Sequence, residues 1–366
     1  MGWEGRLRAV VCLGAFGIVS MAFRAAAQQG PAPGPAQPVP VQGNPAYCPE
    51  PAAQSRTLRG HVFQYGTLVD APMLGTTFGM RFSSTFERVP GFPAGGFGPL
   101  DVNQVQASSE ADYTQMIIPY RLSLFIQGVG SGVTGSNVSS LLGTGVNYDY
   151  DTNLGAQIGL IRDPDRGDLL TLRPEIGYSE GRMLGLGQLV SDLTTNSKAT
   201  LQDVLADGPG EVLLTPYSTL HFGGSLAYGH AFGSSFALQA ALAVVEFDET
   251  VQPFQASSNG RVSMVQHDLE PSGASGFTLG GAEGGFPFAL QAEYRLTMSW
   301  LDSTWQHPEQ DADLGLYYSG RPDLQLGVVA IGSWLPALQG VSLTGGSASS
   351  SLPESITGEF VFRYVW

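Results

Sequence analysis

Residues Ile356–Trp366 read I-T-G-E-F-V-F-R-Y-V-W and give the strongest indication of the fold. Its aromatic residues fall on every second position, at Phe360, Phe362, Tyr364 and Trp366. Because successive side chains of a strand point to opposite faces, one face of this segment is aromatic and the other carries Glu359 and Arg363. A soluble β-sandwich would bury such a face, whereas a transmembrane barrel turns it to lipid. The end of the chain on this strand, after a secretory leader, favours the barrel.

The N-terminus has the three parts of a signal peptide. Arg6 and Arg8 form a basic start, and residues 9–23 are uncharged and largely apolar. Ala25 and Ala27 supply small cleavage positions, which predicts a cut after Ala27. The apolar run is shorter than the roughly 20 residues that a membrane-spanning helix needs. We therefore expect export, with residues 1–27 removed.

Composition agrees with a chain that alternates apolar and polar residues. Charged residues make up 13%, about half of the usual quarter, and glycine is 49 of 366 residues, above the typical ~7%. After the leader, no segment approaches 18 uncharged apolar residues, so a mature chain in a membrane would have to form a closed barrel. The net charge of −15 argues against nucleic acid as a partner. An acidic lumen that concentrates cations and general solubility both fit this charge.

Four segments alternate with period two: residues 74–86, 144–161, 169–179 and 286–300. Each puts apolar or aromatic residues on one face and polar residues on the other. In a solvated sheet the polar faces would be ordinary surface, and in a barrel they line the lumen. The charged residues on polar faces are our candidates for binding a solute in the lumen: Arg81, Arg173, Glu175, Glu293, Arg295, Glu359 and Arg363.

Loop lengths give a separate prediction, because such barrels alternate short periplasmic turns with long extracellular loops. Tight links are predicted near Pro119-Tyr120, Asp163–Asp168, Ala231–Ser234, Glu283–Gly285 and Gly320–Asp323. The long polar stretches between them are 87–111, 131–143, 181–213, 248–276, 301–310 and 334–355. Together they predict an all-β, up-and-down antiparallel barrel of about 12 strands, with 10 or 14 left open. Residues 184–206 have helical apolar spacing, which predicts one short loop helix.

The segment before the barrel has a composition of its own. Residues 28–56 are rich in Pro, Gln and Ala, which favours a disordered periplasmic segment or, alternatively, a plug inside the lumen. The barrel domain is predicted to occupy residues 57–366.

The leader, the alternating segments, the loop asymmetry and the aromatic last strand together resemble a Gram-negative outer-membrane β-barrel protein. The last strand is similar to the C-terminal signal that the outer-membrane assembly machinery reads, with Phe360, Phe362, Tyr364 and Trp366 as its aromatic positions. The resemblance implies an outer-membrane location, with membrane lipid and the assembly machinery as partners. A narrower stretch, Asn44-Pro45-Ala46, resembles a motif in the hatch of long-chain fatty-acid transporter barrels.

Enzyme chemistry finds little support in the sequence. The five histidines are scattered without metal-ligand spacing, so we expect neither a metal, nor a cofactor, nor a catalytic site. His221 and Ser225 share a polar face but lie roughly 13 Å apart along an extended strand, too far to hydrogen-bond. We expect a non-enzymatic barrel through which a small solute passes or in which it binds. Two alternatives stay open: a structural or surface-interaction barrel acting through its extracellular loops, and a membrane-lipid hydrolase.

Overall fold

The computed structural model describes residues 56–93, 99–137, 140–141, 145–184, 214–251, 262–278, 286–301, 304–306, 308–334 and 354–366. The predicted leader, residues 28–55 of the Pro-rich segment and all but the first residue of the predicted loop helix lie outside these residues. No helix in the described ranges is long and apolar enough to cross a membrane.

Twelve antiparallel strands form one closed barrel, as predicted. The wall consists of β3 (Thr77–Pro93), β4 (Pro99–Ile118), β5 (Leu122–Gly135), β6 (Val146–Asp163), β7 (Asp168–Leu184), β8 (Leu214–Ala231), β9 (Phe236–Val251), β10 (Val262–Thr278), β11 (Phe288–Leu301), β13 (Glu309–Tyr318), β14 (Leu324–Trp334) and β15 (Glu354–Val365). Each wall strand pairs with the next one along the chain, and β15 pairs with β3 to close the ring. There are three further two-residue strands in the described residues: β1 (Thr57–Leu58), β2 (His61–Val62) and β12 (Thr304–Trp305). β1 and β2 pair with each other in a separate sheet, and β12 pairs with β11 of the wall.

The last strand is oriented as its alternation predicts. Phe360 on β15 is 46% exposed on the outer face, whereas Val361 beside it is 1% exposed and faces the interior. Glu359 and Arg363 fall on the inner face of the same strand. A sandwich would have hidden the aromatic face between two sheets, so the closed ring excludes that interpretation.

Several stretches predicted as long loops are strand, which corrects those predictions. Residues 87–93 and 99–111 belong to β3 and β4, and residues 262–276 belong to β10. The outward positions of β4 include Ala107, Ser109 and Ala111, so its alternation is between small and polar residues and gives little hydropathy contrast. β4 has 20 residues, well above the ~9–11 that cross a bilayer. Its polar end therefore continues the wall beyond hydrocarbon.

The two ends of the barrel differ as predicted. One end, here called the turn end, carries the short links 119–121, 164–167, 232–235 and 319–323. The predicted link at Glu283–Gly285 lies outside the described residues. The opposite end, called the loop end, carries the connections between β3 and β4, β5 and β6, β7 and β8, β9 and β10, β11 and β13, and β14 and β15.

Residues 56–76 form a plug inside the barrel, so the wall begins at Thr77 and not at residue 57 as the sequence predicted. The plug opens with the β1–β2 hairpin, whose two turn residues Arg59 and Gly60 both have positive φ, the conformation that two-residue hairpins need. Its apolar side chains pack on inward-facing wall residues at the turn end. That cluster is Leu58, Phe63, Tyr65, Met73, Leu169, Ala231, Ala237 and Val365.

Candidate functional site: a plugged, charged lumen

The start of the plug is fixed to the turn end by one buried arginine. Arg56 is fully buried and donates to the backbone carbonyls of Pro322 at 2.6 Å, Leu324 at 2.9 Å and Arg321 at 3.1 Å. Burial lowers the pKa of Arg56 to about 10, so the guanidinium still carries its charge at neutral pH. The carbonyls supply the acceptors that a buried cation needs.

A glutamine on β14 binds the middle of the plug. The Gln325 amide accepts from Tyr65 N at 3.1 Å and donates to Tyr65 O at 3.0 Å, so it pairs with that residue's backbone as a strand would. The guanidinium of Arg363 lies over the Tyr65 ring, 4.4 Å from its centroid. Arg363 also donates to Asp112 at 2.6 Å. Tyr65 therefore ties the plug to both β14 and β15.

The apex of the plug is held by the carboxylate of Glu293, which is 4% exposed. Leu68 N and Val69 N donate to its Oε2 at 2.8 and 2.9 Å, and Thr67 N donates to its Oε1 at 3.2 Å. Successive backbone N–H groups that converge in this way form an anion-binding nest. Gly66 precedes the nest, and a Cβ at that position would come within 2.6 Å of the carboxylate. We call this arrangement the Glu293 latch.

Three wall residues add further contacts to the apex. Arg81 donates to Gly66 O at 2.9 Å, and Thr67 Oγ1 donates to Glu359 at 3.1 Å. Arg173 pairs with Asp70 at 2.6 Å. Each contact joins a different wall strand to the plug, so the apex is positioned from several sides of the ring.

A cavity of about 250 Å³ lies against the apex of the plug. Its charged lining consists of Asp70, Arg81, Glu110, Asp112, Arg173, Glu175, Glu270, Arg295 and Arg363. Phe125 contributes an aromatic face, and the Arg173 guanidinium lies 4.2 Å from the centroid of that ring. The cavity offers both anionic and cationic groups to a solute of small size.

Between the cavity and the loop end, the inner face becomes acidic. The inward-facing carboxylates of this outer half are Glu87, Asp149, Asp151, Glu249, Asp268 and Glu309. In the described part of the chain, no arginine or lysine lies on the inner face of this half, and the wall arginines that line the cavity lie nearer the plug. We call this region the acidic funnel.

The seven residues predicted to face the lumen all lie on the inner face. Arg81, Arg173, Glu175, Arg295 and Arg363 line the cavity. Glu293 and Glu359 instead bind the plug. Whether any of them binds a solute stays a prediction.

Several residues of the site escaped the sequence prediction. Glu110 lies on β4 and Glu270 on β10, both within stretches interpreted as loops, and Asp112 directly follows the first of these stretches. Their alternation with small residues such as Ala111 would have signalled a strand. Asp70 lies in the plug, where no regular period could indicate it.

The pair considered for lipid hydrolysis faces the lumen. His221 lies on the inner face of β8 and contacts Asn153 through Nε2, while Ser225 is buried on the same face. Ser225 Oγ has no hydrogen-bond partner among the described residues. Both residues therefore lie on the opposite face of the wall from the apolar outer surface.

The outer face of the barrel is apolar, with aromatic residues towards both ends. Exposed aliphatic side chains on it include Leu124, Ile176, Leu242 and Val328. Exposed aromatic side chains cluster near the turn end (Phe232, Phe286, Tyr364, Trp366) and near the loop end (Tyr148, Tyr150, Trp305, Trp334). An even-stranded closed barrel with this outer face and a polar interior is the architecture of a bacterial outer-membrane β-barrel protein, and this chain is of that class.

No protein-family model and no curated protein matches the sequence. Among solved structures, the β domain of the Bordetella autotransporter BrkA is 12% identical, with a TM-score of 0.47 over 80% of this chain and 100% of that one. The translocator domain of the autotransporter NalP from Neisseria meningitidis is 9% identical, with a TM-score of 0.48 over 81% and 90%. An outer membrane channel from Pseudomonas putida F1 is 14% identical, with a TM-score of 0.48 over 83% and 100%. At this level of similarity none of these proteins lends its function to the present chain.

Proposed function

We propose that this barrel passes a small hydrophilic solute through its lumen, and that the plug is the gate. The observation that carries the proposal is the charged cavity, which lies between the plug and the acidic funnel. Apolar packing would stabilise a purely structural interior better, because buried ion pairs often contribute less to stability than apolar side chains of similar volume. Passage requires the plug to move, because residues 56–76 fill the lumen between the cavity and the turn end.

The Glu293 latch gives the sharpest test. In Glu293→Gln, one acceptor oxygen is replaced by an NH₂ donor, which faces either the N–H of Thr67 or the N–H groups of Leu68 and Val69. A hydrogen bond to a charged group contributes about 1.5–3 kcal/mol, so open states of the plug should become roughly ten- to hundredfold more populated. In planar bilayers, the variant should conduct more often than the unmodified barrel.

The matched control is Glu246→Gln. Glu246 lies on the outer face of β9, beside His267 at 3.1 Å and away from the plug, so the same chemical change there should leave conductance as it was. Folding of both variants is checked by the shift in gel mobility on boiling. Well-folded barrels that never conduct, with or without the latch, would refute passage.

A second function is favoured by the same plug. A lumen closed from the turn end to the cavity suits a structural or surface-interaction barrel whose loops do the work. That alternative predicts that Glu293→Gln loosens the plug, visible as faster hydrogen exchange in residues 65–70, with no conductance. Conductance and exchange measured on the same variant therefore separate the two functions.

A further inference from the structure

Two opposite charges line one corner of the cavity without pairing. Glu270 lies on β10 and Arg295 on β11, and the register pairs Arg295 with Ser272, so Glu270 is a diagonal neighbour of Arg295. Diagonal neighbours across antiparallel strands lie ~7–8 Å apart. Arg295 instead binds Asp311, at 3.1 Å from Nε and 2.8 Å from Nη2.

Glu270 is the unmatched carboxylate of the cavity. Asp70 and Glu175 lie beside Arg173, Asp112 pairs with Arg363, and Glu110 lies 3.8 Å from Arg81. Glu270 makes no hydrogen bond or ion pair with any described residue, although it lines the cavity. A carboxylate in such a place is free to accept from a cationic group of a solute.

Arg295 is the arginine most open to a solute. Its side chain is 33% exposed, compared with 16% for Arg81, 19% for Arg173 and 8% for Arg363. Its contacts with Asp311 use Nε and Nη2, which leaves Nη1 to donate elsewhere. A guanidinium in this state can bind a carboxylate of a solute.

A small apolar wall adjoins the two charges. The register pairs Glu270 with Ala243, Ser272 with Ala241 and Asp268 with Val245 on β9, and all three β9 residues line the cavity. A molecule held between Glu270 and Arg295 would lay its remaining atoms on this wall. The cavity volume of about 250 Å³ is below the ~300–1,000 Å³ of pockets for drug-sized ligands, so the molecule is small.

We propose that this corner binds a small α-amino acid as its zwitterion. The α-ammonium group contacts Glu270, the α-carboxylate contacts Arg295, and a compact apolar side chain lies on Ala241, Ala243 and Val245. The ammonium and carboxylate are borne on one carbon, so they can bridge two opposite charges that form no ion pair with each other. The acidic funnel disfavours anions on the way in, and Arg295 favours a carboxylate at the end. The inference rests on the proposed function, since a solute reaches the cavity through the lumen.

Equilibrium dialysis of the detergent-solubilised full chain against three labelled probes of matched shape tests this site. L-valine carries both charges, isobutylamine lacks the carboxylate, and isovalerate lacks the ammonium group. L-valine should bind at least about tenfold more tightly than either, because each of the others loses one charge-assisted contact. Isovalerate or isobutylamine binding as tightly as L-valine would overturn the proposal.

Variants assign the two contacts. Glu270→Gln should weaken L-valine and isobutylamine about tenfold and leave isovalerate unchanged, with Glu246→Gln as the control of identical chemistry. The double variant Arg295→Gln/Asp311→Asn removes the guanidinium together with its buried partner, so no charge is left uncompensated; it should weaken L-valine and leave isobutylamine unchanged. If neither variant changes the affinity for L-valine, the proposed site is refuted. Binding is measured without flux, so a barrel that binds L-valine yet never conducts contradicts passage and leaves the site standing.

Discussion

Glu293 shows at the scale of one residue why an inward-facing charge does not by itself mark a solute site. Its oxygens accept from Thr67, Leu68 and Val69 of the plug and from the Gln291 side chain at 2.6 Å. A carboxylate buried to this extent is stable only when donors satisfy it, and here the chain's own backbone supplies them. The predicted binding residue thus recognises a segment of its own chain.

We expect His61 to make docking of the plug depend on pH. Burial lowers the pKa of His61 to about 4, with a hydrogen bond to the Ser234 backbone opposing the effect in part. An exposed histidine in a released plug keeps a pKa of about 6.5, so the released state binds the proton more strongly. The contribution of neutral His61 to the free energy of docking is therefore complete above about pH 6.5. It decreases by up to about 3 kcal/mol as the pH falls from 6.5 to about 4.

We expect plug amides around residues 61–70 to exchange hydrogen faster at pH 5 than at pH 7, after correction for intrinsic rates. In His61→Gln, which stays neutral throughout, most of this difference should disappear. All other residues are the same in the two proteins, so the comparison isolates His61. The same pH dependence in the two proteins would show that His61 does not control docking.

At the scale of one element, β15 tests whether the outer face meets hydrocarbon. Phe360 lies near the middle of the strand on the outer face, and Thr357 lies on the inner face beside Thr85. Phe360→Lys should destabilise the barrel by about 2–4 kcal/mol, the penalty for a lysine facing lipid near the midplane. In Thr357→Lys, the new lysine side chain faces the polar lumen, and Glu87 is its diagonal neighbour on β3. This variant should change the stability of the barrel by less than about 1 kcal/mol.

Urea unfolding in lipid vesicles measures both β15 variants. If Thr357→Lys were as damaging as Phe360→Lys, the two faces of the strand would be wrongly assigned. If neither were damaging, the outer face would not contact lipid.

The elements also show which features a sequence can predict. β11 was predictable because Leu290 and Tyr294 must be apolar outside, while Gln291 and Glu293 are polar inside. The plug was not predictable by the same rule. Its residues contact several different wall strands, so its apolar and polar residues follow no period of two. The residues that the plug contacts, such as Gln325 for Tyr65, are distant in the sequence, so no local sequence pattern indicates these contacts.

The cavity corner was partly hidden for another reason. Arg295 was predicted because its strand alternates strongly, but Glu270 faces it from β10, where Ser272 and Gly273 are the neighbouring residues. Small residues blur hydropathy alternation without disturbing strand geometry. A charged residue on such a strand looks like part of a loop until the register is known.

For the whole molecule, charge is sorted along the barrel axis. The wall arginines that line the cavity lie near the plug, and the funnel towards the loop end carries carboxylates. A narrow space bounded by charges of one sign concentrates counter-ions, and the low-dielectric wall strengthens the effect. Any current through the open barrel must cross this funnel. The sorting therefore predicts cation selectivity for an open state whatever organic solute the cavity accepts.

Reversal potentials in a KCl gradient measure that selectivity on the Glu293→Gln barrel, whose plug should open more often. At about 0.1 M salt, we expect K⁺ to be favoured over Cl⁻ roughly tenfold, because the Debye length of ~10 Å spans the lumen. At about 1 M salt the Debye length falls to ~3 Å, and the preference should largely vanish. Replacing Glu87, Glu249 and Glu309 together by Gln should reduce the preference at low salt, whereas Glu246→Gln on the outer face should not. An anion-selective current, or a selectivity that ignores ionic strength, would mean that ions do not pass through the funnel.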